Sequence, residues 1–244
     1  MSVHDVTLFG DQVAASRLGQ RFAAMDAGAL LRLSIRDLFP GRIALVSSFG
    51  ADSAVLLHMV AQVDPATPVV FVDTGFLFPE TLAYRDELVA RLGLTDVRAI
   101  QPSEEDLAQL DPEGFLWSTE PDLCCDIRKV KPLANAIEGY DAWITGRKRF
   151  QSGTRAALPL FEAEGERVKI NPLAGWDASE LLRYLDRHEL PRHHMVAKGY
   201  PSIGCIPCTS PVKPGEDARA GRWRGKGKTE CGIHLGILSA GQDI

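Results

Sequence analysis

The stretch Ile43-Ala44-Leu45-Val46-Ser47-Ser48-Phe49-Gly50-Ala51-Asp52-Ser53 decides the fold. Its first four residues are apolar without interruption, the pattern of a short strand buried on both faces. The polar turn that follows leads into Ala54, Val55, Leu56, Leu57, Met59 and Val60, apolar nearly all round, so 52–63 reads as a buried helix. Working outward, Val69–Val72, Val97–Ile100, Trp143–Thr145 and Val168–Ile170 read as further strands. Helices are predicted over 79–92, with Pro79 at the first position and Gly93 as the stop, and over 177–188. Upstream, an amphipathic helical pattern runs to about Met25, and a second helix over 29–39 is stopped by Pro40-Gly41. Strands alternating with helices predict an α/β fold: a twisted, mostly parallel sheet with helices on both faces. Such folds hold ligands beyond the carboxyl ends of their strands, so the loops after Val46, Val72 and Thr145 are the places to look.

Composition narrows the classes. The 244 residues are 45% hydrophobic and 24% charged, which excludes disordered and fibrous chains. The formal charge is −5, from 27 basic and 32 acidic residues, which argues against a dedicated nucleic-acid binder. No apolar run is long enough to cross a bilayer, so no membrane partner is expected. Met1 to Leu8 lacks a basic segment followed by an apolar one, so the expected compartment is the cytoplasm. There is no internal repeat. Residues 201–244 hold no clear strand and many Gly, Pro and basic residues. The chain is therefore read as an α/β nucleotide-binding domain over 1–200 and a mobile C-terminal segment over 201–244. The oligomeric state stays open, a homo-oligomer included.

Two loops carry a nucleotide reading. Backbone N–H groups at the start of the 52–63 helix carry the positive end of its dipole, Gly50 lets an anion approach, and Ser47, Ser48 and Ser53 add hydroxyl donors. No Gly-Lys-Ser/Thr follows, so this is not a Walker loop. The alternative is an ordinary strand–helix turn capped by Asp52 or Ser53. Asp73 and Thr74, after the second strand, stand where a ribose or base could be hydrogen-bonded; they also read as a capping turn. Together the loops resemble the pyrophosphatase-type loop of adenine-nucleotide-binding folds over about residues 40–175. Phe49 replaces the first of that family's two glycines, a departure that points away from ATP hydrolysis.

The five cysteines are an odd set: adjacent Cys124-Cys125, then Cys205-Ile206-Pro207-Cys208, then Cys231 in Glu230-Cys231-Gly232-Ile233-His234. With no export signal, metal ligation or thiol chemistry is favoured over disulfides. Four thiolates in two pairs suit a tetrahedral zinc site or a [4Fe–4S] cluster, and the spacing does not decide between them. Cys124 and Cys125 also read as small core residues, and Cys205 with Cys208 as a thioredoxin-like redox pair.

The whole motif set, Cys124-Cys125-x-x-Arg128-Lys129, the Cys-x-x-Cys pair and the Glu-Cys-Gly-Ile-His tail, resembles the assimilatory adenylyl-sulfate reductases of the sulfonucleotide reductase family, from Ser47 to His234. The resemblance implies a [4Fe–4S] cluster on Cys124, Cys125, Cys205 and Cys208, and Cys231 as the nucleophile. It implies sulfate or phosphate contacts from Lys129, Arg155, Arg219, Arg222 and His234. The four ligands favour adenylyl sulfate (APS) as substrate over its 3′-phosphorylated form (PAPS). Where the family often has Arg-Arg-Asp-Gln, this chain has Lys148-Arg149-Phe150-Gln151.

The chemistry implied brings a thiolate to an anionic sulfate, so the site must be strongly cationic. Two basic clusters qualify: Arg147, Lys148 and Arg149 with Arg155, and Arg219, Arg222, Arg224, Lys226 and Lys228. Either also reads as a solvated face. Attack by Cys231 would release AMP and leave a Cys–S-sulfonate. With the other four cysteines committed, an external dithiol, thioredoxin or glutaredoxin, is required. Gly221, Gly225, Gly227 and Gly232 would give the tail freedom to close and swing out. The cluster's expected role is structural and electrostatic. The alternatives are a cluster-containing PAPS reductase, an Fe–S ATP-dependent tRNA-thiolating enzyme, and a non-catalytic zinc nucleotide sensor. His58 is expected to be a packed histidine, His193-His194 surface, and Trp117, Trp143 and Trp176 core.

Overall fold

The computed structural model describes residues 12–234. The leader reading of Met1–Leu8, the start of the first predicted helix and the tail beyond His234 lie outside the described residues. The chain enters through α1 (Gln12–Arg21) and α2 (Ala27–Arg32), which widens into a π-helical turn over Leu33–Leu38. Then follow β1 (Ile43–Val46), α3 (Ser53–Val63), β2 (Val69–Val72), α4 (Pro79–Leu92) and β3 (Val97–Ile100). Short helices come next: α5 (Glu104–Leu110), α6 (Leu116–Thr119), α7 (Pro121–Cys125) and α8 (Lys131–Ala136). A second π-helical turn at Asp126–Val130 joins α7 to α8. β4 (Ala142–Ile144), β5 (Phe161–Glu164), β6 (Arg167–Ile170) and α9 (Ala178–Arg187) complete the α/β unit.

The strands form one sheet in the order β3-β2-β1-β4-β6-β5. All neighbours are parallel except β5 and β6. β1 lies between β2 and β4, so the strand order reverses at its carboxyl end, above the Ser47–Ser53 loop. Alternate residues serve opposite faces. Ile43 and Leu45 join Val69, Phe71 and Ile144 beneath α2, α3, α4 and α9, while Ala44, Val70 and Trp143 meet Leu133 of α8 on the other face. Each fully buried Leu, Ile or Phe contributes about 1.5–3 kcal/mol.

The mostly parallel sheet is as expected, and α4 begins at Pro79 and stops at Gly93, whose φ of 66° is left-handed. β5 was not predicted. Glu162 and Glu164 hide its apolar alternation, and each has a cationic partner, Arg147 and Lys169. The helix expected over 29–39 starts earlier, at Ala27, because Asp26 accepts from Ala29 N at 2.8 Å.

Residues 201–234 lie against the carboxyl edge of the sheet, tied there by the bridge Leu77–Cys205 and folded on themselves by the bridge Thr209–Arg222. Gly221 is required by contact rather than by freedom, since a Cβ there would stand 2.0 Å from the Ser210 carbonyl oxygen. Gly232 does adopt a left-handed φ, 89°. Among the described residues no helix is long and apolar enough to cross a membrane.

Candidate active site

A cavity of about 450 Å³ opens at the switch point. Ser47, Ser48, Gly50 and Ser53 line it from the loop after β1, Thr74 from the loop after β2, and Lys129 from the π-helical turn. Arg155, Arg219, Arg222, Cys231 and His234 line it from the opposite side. Every residue predicted to touch substrate therefore faces one space, except Asp73. The Asp73 carboxylate is not part of the lining; it accepts from Gly75 N at 3.1 Å, closing its own turn.

The loop after β1 is shaped by Phe49. This residue has φ 47°, the left-handed conformation a glycine would take at little cost. Its ring is fully buried and meets Phe71 edge-on at 5.2 Å, so core packing offsets the strain. Ser47 Oγ accepts from Phe49 N at 3.2 Å. The cap of the alternative reading does not form: no side chain caps α3. Asp52 instead accepts from Lys148 Nζ at 3.1 Å and Gln151 Nε2 at 3.4 Å. The start of α3 thus faces the cavity with its dipole uncovered by a side chain.

The first basic cluster splits in two. Arg147 and Lys148 are buried and line the cavity. Burial pulls both below their ordinary pKa, with Glu162 and Asp52 opposing it. Arg149 turns away and donates to the Leu158 carbonyl at 2.8 Å. Phe150 stays exposed at the cavity edge. The second cluster splits as well. Arg219 and Arg222 enter the cavity, and Arg222 lies over the Trp223 ring at 4.4 Å. Arg224 pairs with Glu216 outside it. Lys226 donates to the Trp117 carbonyl at 2.6 Å and lies over its ring, and Lys228 pairs with Asp122. Lys226 thus fastens the tail to α6, and Lys228 fastens it to α7, which carries Cys124 and Cys125.

Lys129 is buried rather than on a helix surface. Burial alone would lower its pKa, but the thiols of Cys205, Cys231 and Cys125 outweigh that and hold it cationic. Its neighbour Arg128 is structural: it pairs with buried Asp111 at 2.7 Å, donates to the Thr74 carbonyl at 3.0 Å and covers the Phe76 ring.

Cys124, Cys125, Cys205 and Cys208 are all buried free thiols, and Cys231 is partly exposed. Tail and core are joined here: Ile206 N donates to the Phe76 carbonyl at 2.7 Å, and the Thr74 hydroxyl lies 3.2 Å from Cys205 Sγ. Burial pushes the Cys124 thiol up to about 11, helped by Cys125, Cys205 and Cys208 and opposed by Arg128. Burial also raises Cys125 and Cys208. Cys205 runs the other way, since Lys129 and the Thr74 hydroxyl overcome its burial and lower it. The four thiols are thus electrostatic neighbours. Among the described residues, no three His, Cys, Asp or Glu side chains converge into a site for a single metal ion.

His234 stacks on Trp143 at 5.8 Å and 10° between ring planes. Its Nδ1 is buried without a hydrogen-bond partner. Burial and the surrounding Arg147, Lys169, Arg155 and Arg219 hold the ring far below the usual histidine range, so it docks neutral. Beneath it, Trp143 Nε1 donates to Glu164 at 2.7 Å, and Glu164 also binds Lys169 at 2.5 Å.

Sequence reasoning missed Glu230, whose carboxylate meets Arg155 twice at 2.9 Å and Arg219 at 3.2 Å. Its position beside Cys231 was the available signal. Trp223 was also missed; it is buried with Cys205 and Cys208. His58 is packed as expected, with Nδ1 2.8 Å from the Tyr184 hydroxyl. His193 is not on the surface: it is buried, its Nε2 lies 3.1 Å from the Thr81 hydroxyl, and its Nδ1 accepts from Met195 N. His194 is exposed. Trp143 is core as expected, whereas Trp117 and Trp176 are only partly buried.

Residues 42–211 match the phosphoadenosine phosphosulfate reductase domain. An adenosine 5′-phosphosulfate reductase of Mesorhizobium japonicum is 59% identical over 93% of this chain and 91% of its own length. A phosphoadenosine 5′-phosphosulfate reductase of Gloeobacter violaceus is 40% identical over 92% of this chain and 95% of its own. The crystal structure of a phosphoadenylyl-sulfate reductase from Candida auris in a phosphate complex superimposes with a TM-score of 0.70 at 28% identity, covering 83% of this chain and 98% of that one. A family that reduces sulfonucleotides accounts for the cation-lined cavity with a thiol on its wall, and the chain belongs to the phosphoadenosine phosphosulfate reductase family.

Proposed function

We propose that the chain reduces adenylyl sulfate to sulfite and AMP, with Cys231 as the nucleophile and a thioredoxin- or glutaredoxin-type dithiol as the reductant, in the cytoplasm. The observation that carries the reading is the one cavity in which the Ser47–Ser53 loop, six cationic side chains and Cys231 face one another. The loop and the uncovered start of α3 suit the nucleotide phosphate, and Thr74 lies near enough for the ribose or base. Lys129, Arg155, Arg219 and Arg222 would surround the sulfate.

Each step balances. Cys231 Sγ attacks the sulfate sulfur; a sulfur–sulfur bond forms, the bond from sulfur to the bridging oxygen breaks, and AMP leaves with that electron pair. The cations offset the charge gathering on the equatorial oxygens. A thiolate of the dithiol then attacks Cys231 Sγ, and sulfite leaves with the electron pair of the sulfur–sulfur bond. The second thiol of the partner resolves the mixed disulfide, so the partner is oxidised and sulfate sulfur reduced. For this the tail must leave the cavity, and its attachment through Lys226, Lys228 and Glu230 is polar, with one ring stack from His234.

Cys124, Cys125, Cys205 and Cys208 would hold a [4Fe–4S] cluster. The fit rests on four buried, unpaired thiols among Lys129, Arg128, Arg222 and Lys226, cations that would balance thiolates. When bound, the cluster supplies a fixed charge beside Lys129, while Lys129 itself orients the sulfate.

Anaerobically prepared protein given APS or PAPS with thioredoxin tests the reading. Sulfite release from APS, at a kcat/KM well above that for PAPS, supports it. Preference for PAPS would replace the substrate, and no sulfite from either would overturn the function.

A further inference from the structure

The cavity's cations already hold an anion, and it belongs to the chain. The Glu230 side chain is 11% exposed and accepts from Nε and Nη2 of Arg155, both at 2.9 Å, and from Nη2 of Arg219 at 3.2 Å. This is fork-to-carboxylate geometry, the same that guanidinium groups offer to sulfate. Two mostly buried guanidinium groups without an anion would carry a desolvation cost, and Glu230 offsets part of it. The other carboxylates on the lining do not reach these arginines: Asp52 is held by Lys148 and Gln151, and Asp217 accepts from Arg219 N in its own turn. Gln151 fixes the remaining side of Arg155, accepting from Nη1 at 2.7 Å. Glu230 is covalently next to Cys231, so whatever displaces its carboxylate moves the backbone of the nucleophile.

We infer that Glu230 is a tethered substitute for the substrate's sulfate: it seats on Arg155 and Arg219 in the free enzyme, keeps them oriented, and is displaced when a sulfonucleotide binds. Glu230 is thus a positioning residue that couples filling of the sulfate seat to movement of Cys231. The inference rests on the adenylyl-sulfate reading. It has a distinct consequence for ligands. APS must compete with Glu230 for the arginine pair. AMP lacks the sulfate and seats its phosphate at the Ser47–Ser53 loop, so it need not compete.

The test is calorimetric titration of the full-length Cys231→Ser protein, which cannot turn over, with APS and with AMP. Glu230→Gln and Glu230→Ala are then added to that background. Loss of a charged competitor predicts an APS affinity at least about ten-fold higher. The expected change for AMP is below about two-fold, so the APS-to-AMP affinity ratio rises by nearly the same factor. Glu230→Asp, which keeps the charge and shortens the reach, should fall between parent and Glu230→Gln. A ratio that stays level or drops in both Glu230→Gln and Glu230→Ala overturns the inference while leaving the substrate intact. A parent protein that binds AMP but not APS overturns the substrate reading and this inference with it.

Discussion

The two sides of the cavity are held by different forces. The Ser47–Ser53 side hangs from the centre of the sheet, with Phe49 and the first turn of α3 sealed in apolar core. The tail side is held by ion pairs, a stacked histidine and two lysines over backbone carbonyls. Apolar burial scales with area and is insensitive to what binds; polar clamps of partly exposed groups are individually worth about 1 kcal/mol and can be exchanged for those of a ligand. A rigid wall for the nucleotide and an exchangeable wall for the nucleophile is the division that a two-stage thiol reaction needs.

The largest effect expected is at the tail. Cys231→Ser should lower sulfite release below detection, while AMP binding, which belongs to the sheet side, changes little in an equilibrium titration. Retained turnover would remove Cys231 from the mechanism.

On the sheet side, Phe49→Ala should cost about 3–5 kcal/mol, the range for deleting a buried phenylalanine. The denaturant midpoint reads this. Phe49→Gly should cost less than the alanine variant, because glycine accepts the left-handed φ that alanine resists. Equal losses would mean that φ at this position stores no strain.

Acid separates the sides further. Burial holds His193 at about 4, below the ordinary 6.5. Its neutral form in the folded state contributes stability that is complete above pH 6.5 and declines as the pH falls from 6.5 to about 4, because the unfolded chain takes the proton first. The loss is of order 3 kcal/mol across that window, from the size of the shift. His193→Gln should flatten this slope in denaturant melts recorded across the same range. An unchanged slope would place the titrating group elsewhere.

The smallest effects concern the tail clamps. Lys226→Ala should destabilise the fold by about 1 kcal/mol or less yet raise tail accessibility, read by modification of Cys231 with a thiol reagent. Lys228→Ala should do less, since its partner Asp122 is almost wholly exposed. A change in global stability larger than the change in Cys231 accessibility would show that the tail is part of the core.

What the chain reveals before folding follows the same divide. Strands β1 to β4 and the loop after β1 are local patterns: four apolar residues, a polar turn, an apolar helix. The cysteine pairs and the basic clusters announce themselves by type. β5 was hidden because Glu162 and Glu164 look solvent-bound until Arg147 and Lys169 arrive from other elements. Glu230 was hidden for the same reason, being defined by Arg155 far upstream. Asp73 stays ambiguous in sequence, since an Asx turn, which it closes, and a ribose contact use the same residue types. His193 looked like surface because only the fold brings Thr81 to it.

The central claim is that Cys231 alone takes the sulfur of the substrate. Peptide mass analysis of anaerobic protein mixed with APS in the absence of any dithiol tests it most directly. The account predicts one SO₃ group added at Cys231, stoichiometric with the AMP released, and removed as sulfite when thioredoxin is supplied. AMP released without an adduct at Cys231, or an adduct at Cys124, Cys125, Cys205 or Cys208, would contradict it.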